Sequence, residues 1–370
     1  MTTRNSPVRI GVIGCGQIAQ THFANYADIP DATVVACADI DHAAADKSAK
    51  KFDIPNVYYD AHEMLKRDDL DAIDVCMHNN LHMPGTVAAL ESGRPVYCEK
   101  PMAGSYRDAL TMIETAKARN LMLHIQLAFI YSDEVRAARE LVKAGELGHI
   151  YHARSTGFRR RGRPFVDGYG KMPFVQKHMA AGGALFDMGV YHISELLFLL
   201  DNPRVERVTG QTYQELEMDA GRREAAGYSV EELGTGFVHF EGGLTLDIIE
   251  AWAAHHSGTE ESCLLGSHGG IRIRPFTYYR TVADIDISAG SDLGAQHYRW
   301  GKLRPDAASY SSSQQHWVDA LLGRVPLLPT AEIALNTMLI SEAIYLSSAE
   351  RREVTPDDVI SSSKSLARPF

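Results

Sequence analysis

Residue types able to do chemistry cluster at three places along the chain. Gly14-Cys15-Gly16-Gln17-Ile18-Ala19 is a GxGxxA turn between an apolar stretch and a helix-length one. Gly14 permits a tight turn, Gly16 lets backbone N–H groups approach a pyrophosphate, and Ala19 keeps the helix close to the sheet. Gln17 and Ile18 open that helix and belong to the same dinucleotide cradle. Asp39 ends the next apolar stretch, about 20 positions after the turn, where an acid binds the adenosine ribose hydroxyls. Ile40 and Asp41 follow it and offer no cation to a 2′-phosphate, which favours NAD over NADP. The other clusters are His78-Asn79-Asn80-Leu81-His82 and Glu99-Lys100-Pro101, each just past an apolar run. Pro101 biases Lys100 toward an extended backbone, so that its amine reaches over the cofactor face; the alternative is a solvated surface lysine. His82 taken alone reads as a packing or capping histidine.

These residues need a scaffold, and the pattern supplies one. Residues 8–13, 33–38, 72–77 and 96–98 are short apolar runs suited to strands buried on both faces. Helix-length stretches at 17–27, 41–52, 83–91 and 106–119 alternate with them, which predicts a doubly wound parallel sheet, a Rossmann domain over residues 1–130. Residues 131–370 change texture: strand-like runs at 151–158, 205–213, 235–240, 245–251 and 262–265 predict an α+β domain on a large antiparallel sheet. Helices over 313–322 and 330–348 are expected to pack back on the rest, and 361–365 reads as a frayed tail. The 370 residues exceed one usual core, and 45% hydrophobic with 23% charged residues describes a globular chain. A net charge of -10 disfavours nucleic acid as a partner.

Five cysteines without CxxC spacing suggest thiols in a reducing compartment, and the polar start over residues 1–8 shows no targeting stretch, so a cytoplasmic location is expected. Residues 193–200 are too short for a bilayer span and contain Glu195, so no membrane role is expected. His255 and His256 point opposite ways on a strand, and without an HExxH or carboxylate triad no metal is expected.

The GxGxxA turn, the acid ending the second strand, Asn79 with His82, and Glu99-Lys100-Pro101 together resemble the glucose-fructose oxidoreductase, inositol dehydrogenase and rhizopine-catabolism (Gfo/Idh/MocA) family. Gly182-Gly183-Ala184-Leu185-Phe186-Asp187-Met188-Gly189-Val190-Tyr191 is similar to that family's GGALxDxGxx segment. The resemblance implies an NAD-binding first domain, a second domain that closes the site and often mediates homo-oligomers, and a catalytic group of Lys100, Asp187 and either Tyr191 or His192. It also places Asn79, His82 and Glu99 among cofactor-binding residues. Many members carry His four positions after the Asp; here Tyr191 stands there, with His192 one later. On a helix, Asp187 and Tyr191 share a face while His192 lies about 140° round, which makes Tyr191 the better proton acceptor. His192 stays open if the helix begins later.

At Phe129 and Ile130, where many relatives place arginines, this chain has none. Arg159, Arg160, Arg161 and Arg163 form a basic run instead, which either is a solvated loop or grips sugar hydroxyls, an anionic group or a neighbouring subunit. With Tyr169, Lys177 and His178 it is expected to wall the substrate pocket, and Trp252 either floors a sugar ring or packs in the core. The expected reaction is hydride transfer between a ring secondary hydroxyl of a sugar, glycoside or cyclitol and NAD, with oxidation of a glycoside at C3 in view. Two alternatives stay open: glycoside cleavage through transient oxidation with no net redox change, and a dinucleotide-binding regulator without catalysis.

Overall fold

The computed structural model describes residues 7–256 and 261–370, so the reading of residues 1–8 falls largely outside the described residues. The first unit runs β1 (Val8–Ile13), α1 (Gln17–Ala27), β2 (Ala32–Ala38), α2 (His42–Phe52), β3 (Asn56–Tyr58), α3 (Ala61–Leu65), β4 (Ala72–Val75), α4 (Asn79–Glu91), β5 (Val96–Cys98), α5 (Tyr106–Arg119) and β6 (Leu123–Ile125). Its six strands are all parallel in the order β3-β2-β1-β4-β5-β6. β4 and β5 are buried along their whole length because helices cover both faces, which is why the sequence shows mostly apolar runs there. The strand order reverses between β1 and β4, and a ligand crevice opens beyond their carboxyl ends.

After α6 (Asp133–Lys143) the chain forms a second sheet: β7 (Ile150–Phe158), β8 (Val205–Tyr213), β9 (Leu233–Phe240), β10 (Thr245–Ala251), β11 (Cys263–Gly266), β12 (Gly270–Arg272), β13 (Thr277–Val282) and β14 (Ile285–Ala289). The order is β14-β13-β12-β11-β7-β10-β9-β8. It is mixed, not wholly antiparallel: β10 lies parallel to β7, with Thr245 opposite His152, because the long excursion through β8 and β9 returns the chain in the same direction. Between β7 and β8 lie the short helix α7 (Lys177–Ala180) and α8 (Val190–Leu199); α9 (Ala220–Ala226) follows β8 and α10 (Leu293–Leu303) follows β14. β13 and β14 escaped the sequence reading because their exposed residues carry no core-facing alternation.

The last helices join the two units. Trp317 of α11 (Ser313–Leu321) is buried in the first core, and the Thr330 hydroxyl opening α12 (Thr330–Glu350) accepts the Ile125 N–H of edge strand β6 at 2.9 Å. The tail is not frayed. Residues 361 and 362 end α13 (Pro356–Ser362), then Leu366 N–H donates to Asp108 and Arg368 N–H to the Asn80 carbonyl. Among the described residues no helix is long and apolar enough to cross a membrane.

Candidate active site

The nucleotide half is built from backbone. Gly14 has φ +94°, and a Cβ there would stand 2.4 Å from the Cys76 carbonyl oxygen, so only glycine fits. A Cβ on Gly16 would meet nothing within 4 Å, which leaves the loop open on the side a pyrophosphate approaches. α1 has no capping side chain and no acid in its first turn, so its leading N–H groups are available to an anion. Asp39 is held at the loop by two amides: Cys15 N–H donates to Oδ2 at 2.7 Å and Asp41 N–H to Oδ1 at 2.8 Å. Gln17 and Ile18 are exposed beside it. An open turn, an uncapped helix and a fixed acid fit a dinucleotide.

Around Lys100, the other members of the strand-end clusters serve as scaffold. His82 is fully buried, its Nδ1 2.7 Å from the Pro101 carbonyl and its Nε2 2.9 Å from that of Met77. Burial pushes its pKa down against those two carbonyls, so the ring is neutral and donates to one of them at a time. Asn79 donates to the Ala180 carbonyl at 2.8 Å and Asn80 to that of His178 at 2.7 Å, pinning α7 over the crevice. Glu99 is buried beneath Lys100, bonded to His22 and to the Lys100 N–H. Sequence placed His82 and Glu99 against the cofactor; the structure engages them with protein instead, because each is needed to hold the chain where it leaves a strand.

Above this floor, Lys100 Nζ lies 3.1 Å from Asp187 Oδ1 and 3.3 Å from the Asp187 carbonyl, and 4.5 Å from the centre of the Tyr191 ring. Asp187 sits in a π-helical turn, Leu185–Gly189, that runs into α8. The buried Glu231 carboxylate fixes the entry to that turn, accepting the N–H groups of Gly183 at 2.9 Å and Leu185 at 3.0 Å. The indole N–H of Trp252 donates to Asp187 Oδ2 at 2.9 Å. Burial works against the charges of both Lys100 and Asp187, but their mutual attraction, with Tyr191 and Glu99 near the ammonium and Trp252 and Arg159 near the carboxylate, outweighs it: the lysine pKa is raised and the aspartate pKa lowered. Burial raises the Tyr191 phenol, with Lys100 opposing, so the phenol is neutral. His192 turns away, its Nδ1 3.0 Å from Glu250; burial opposes its charge, yet Glu250 raises its pKa. Phe129 stacks on Tyr191 at 4.8 Å, and the Arg274 guanidinium covers Phe129 at 4.4 Å while pairing with buried Glu195.

The arginine run splits three ways. Arg159 faces the site, donating to the Tyr169 hydroxyl at 2.7 Å and lying 3.9 Å from Asp187 Oδ2. Arg161 is exposed, 3.6 Å from Asp167. Arg163 departs from the expectation of a substrate contact: it is buried, pairing with Asp167 and Glu232 at 3.0 Å each and with the carbonyls of Leu216 and Glu217. Tyr169 and His178 are exposed at the rim. Trp252 is 1% exposed in a buried cluster, which fits the core reading and not an aromatic floor, and its indole N–H orients Asp187.

A family model described as oxidoreductase family, NAD-binding Rossmann fold, matches residues 8–127, and one described as GFO/IDH/MocA C-terminal domain matches residues 135–272. The chain belongs to the Gfo/Idh/MocA family. It is an NAD-binding oxidoreductase. The chain is 31% identical to the D-glucoside 3-dehydrogenase of Escherichia coli K12 over 65% of this chain and 68% of that protein. Myo-inositol 2-dehydrogenase of Thermotoga maritima is 24% identical over 95% of this chain and all of that protein, 100%. Levoglucosan dehydrogenase in complex with NADH and L-sorbose superposes with a TM-score of 0.80 at 18% identity, over 95% of this chain and 99% of that one, and shows the shared fold.

Within this Gfo/Idh/MocA chain, sequence reasoning missed His22, Asp74, Glu231, Glu250 and Arg274. Asp74 did carry a signal: it is a lone charge in the apolar run Ala72–Val75, and burial of such a group demands a partner. Arg274 and Glu231 carried none, since each reaches the site from a distant loop.

Proposed function

We propose that the protein moves a hydride between a ring secondary hydroxyl of a sugar, glycoside or cyclitol and NAD, with glycosides oxidised at C3 the leading candidates. The observation that carries this reading is the convergence of Lys100, Asp187 and Tyr191 at the carboxyl end of the parallel sheet. Bound NAD supplies the hydride acceptor. The Lys100 ammonium donates to the substrate oxygen and stabilises the negative charge that develops there. Asp187, itself oriented by Trp252, holds that ammonium in place. Tyr191, a neutral phenol beside the ammonium, accepts the hydroxyl proton as it passes its own to solvent water, so it acts as a relay rather than a permanent base, and the reaction releases one proton for each hydride transferred. Arg159 and Tyr169 at the rim suit hydroxyls of the same ring. The relatives named for glucoside and inositol oxidation support the substrate class.

Purified protein mixed with NAD and a panel of glycosides, free sugars and inositols is expected to form NADH and a keto product two hydrogens lighter by mass. A panel that leaves NAD unreduced sinks the reading, and aglycone released without NADH replaces it with redox-neutral cleavage. The outer face of the second sheet carries His152, Arg154, Phe237 and Asp247, and we propose that it joins subunits of a homo-oligomer, which light scattering on the purified protein tests.

A further inference from the structure

Beneath Lys100 lies a buried polar group that the proposed reaction does not use. His22, in the middle of α1, is 1% exposed and stands between two carboxylates: its Nδ1 is 2.8 Å from Asp74 of β4 and its Nε2 2.8 Å from Glu99. Cys76 adds a contact to Nδ1 at 3.2 Å, and the Tyr97 ring meets the imidazole edge on at 5.6 Å. Burial alone would strip the imidazole of charge, but Asp74, with Cys76, outweighs it, so both ring nitrogens carry protons and both donate. The second Glu99 oxygen accepts the backbone N–H of Lys100 at 2.9 Å. A continuous chain of short bonds therefore runs from the centre of the sheet through the cofactor-binding helix to the lysine's own peptide.

Such a chain is costly to bury and unnecessary for packing, since apolar side chains of similar volume would fill the space. Its geometry has a specific consequence. Glu99 folds back onto the next residue's amide, and the bond from Nε2 holds the other oxygen of its carboxylate in place. We infer that His22 is a positioning residue for Lys100: through Glu99 it fixes the Glu99–Lys100 peptide and with it the direction from which the ammonium meets Asp187 and the substrate oxygen. Because His22 belongs to α1, seating of a pyrophosphate at that helix and placement of the lysine share one rigid link.

The inference rests on the hydride-transfer reading, and two isosteric variants separate it from a space-filling role. The amide nitrogen of Asn falls where Nδ1 stands, and that of Gln where Nε2 stands. His22→Asn thus keeps only the Asp74 bond, and His22→Gln only the Glu99 bond. His22→Asn is expected to lose about 10- to 100-fold in kcat with the sugar KM nearly unchanged, the loss typical of one hydrogen bond to a charged group. His22→Gln is expected to stay close to the parent in kcat although both variants lose thermal stability. Equal kcat in the two overturns the positioning role. The side-chain NMR resonance of Lys100, assigned by Lys100→Arg, needs no turnover: it should move in His22→Asn and hold in His22→Gln, and the same position in both also overturns the inference. A parent protein that oxidises no sugar defeats the functional reading alone. If His22→Asn does not fold, Glu99→Gln takes its place, leaving the Lys100 amide an acceptor but Nε2 a neutral partner; the same kcat loss is expected, and its absence counts against the role.

Discussion

The two halves of the active site are built on opposite principles. The nucleotide half comes from one short stretch of chain: a turn at Gly14 to Gly16, the first turn of α1, and Asp39 at the end of the next strand, bonded back to Cys15. Its working groups are mostly backbone N–H, so what the chain must specify is space and curvature. The substrate half is assembled from Lys100, Arg159, Asp187, Tyr191 and Trp252, which lie far apart in sequence and meet where the two units pack together. Its working groups are side-chain charges that sustain one another against burial. At Gly14 the backbone half tolerates no added atom, whereas the half made of paired charges tolerates no missing partner.

That contrast predicts different failures. Lys100→Ala removes the group that meets the substrate oxygen, and kcat should fall by about 10²- to 10⁴-fold while NAD affinity, read by fluorescence titration, changes little. Equal losses in both quantities would erase the division. Arg163→Ala strands Asp167 and Glu232 and should cost about 3–5 kcal/mol of stability in a denaturant titration, with no selective effect on substrate KM. Asp39→Ala should weaken NAD about 10-fold or more and leave the hydride step of the bound complex untouched, as single-turnover measurements will report. Arg161→Ala, at an exposed position, should alter either constant by less than about twofold. A larger change would move Arg161 into the pocket.

Acidity offers one more way to sharpen the comparison. The Asp187 carboxyl lies below its ordinary range, first against the pull of burial and then because of Lys100, so its contribution to stability is present above the unfolded pKa of about 4. It fades as pH falls through the lowered folded value. Lys100 lies above its ordinary value, so its share persists below about pH 10 and is lost only as pH rises through the raised one. Between these limits the pair should give a flat stability profile, and Asp187→Asn should remove the loss at the acid end.

Legibility followed the same line. The parallel sheet could be read because β1, β4 and β5 are buried on both faces and show it as apolar runs interrupted by a single charge each in β1 and β4, Arg9 and Asp74. Tyr191 facing Lys100, with His192 turned to Glu250, agrees with the i,i+4 spacing from Asp187. Arg159, Arg161 and Arg163 look alike in sequence, yet one faces the site, one faces solvent and one is buried, since an irregular loop has no period from which direction could be deduced.

By itself the amino-acid order determined the glycine turn, the ribose acid, the lysine at a strand end and the alternation that builds a nucleotide fold, because each depends on neighbours a few residues apart. Only the tertiary structure decided that Trp252 orients an acid, that β10 runs parallel to β7 and that His22 stands beneath Lys100. Those outcomes depend on which distant charges must share one dry interior, and pairing of that kind is settled when the elements pack.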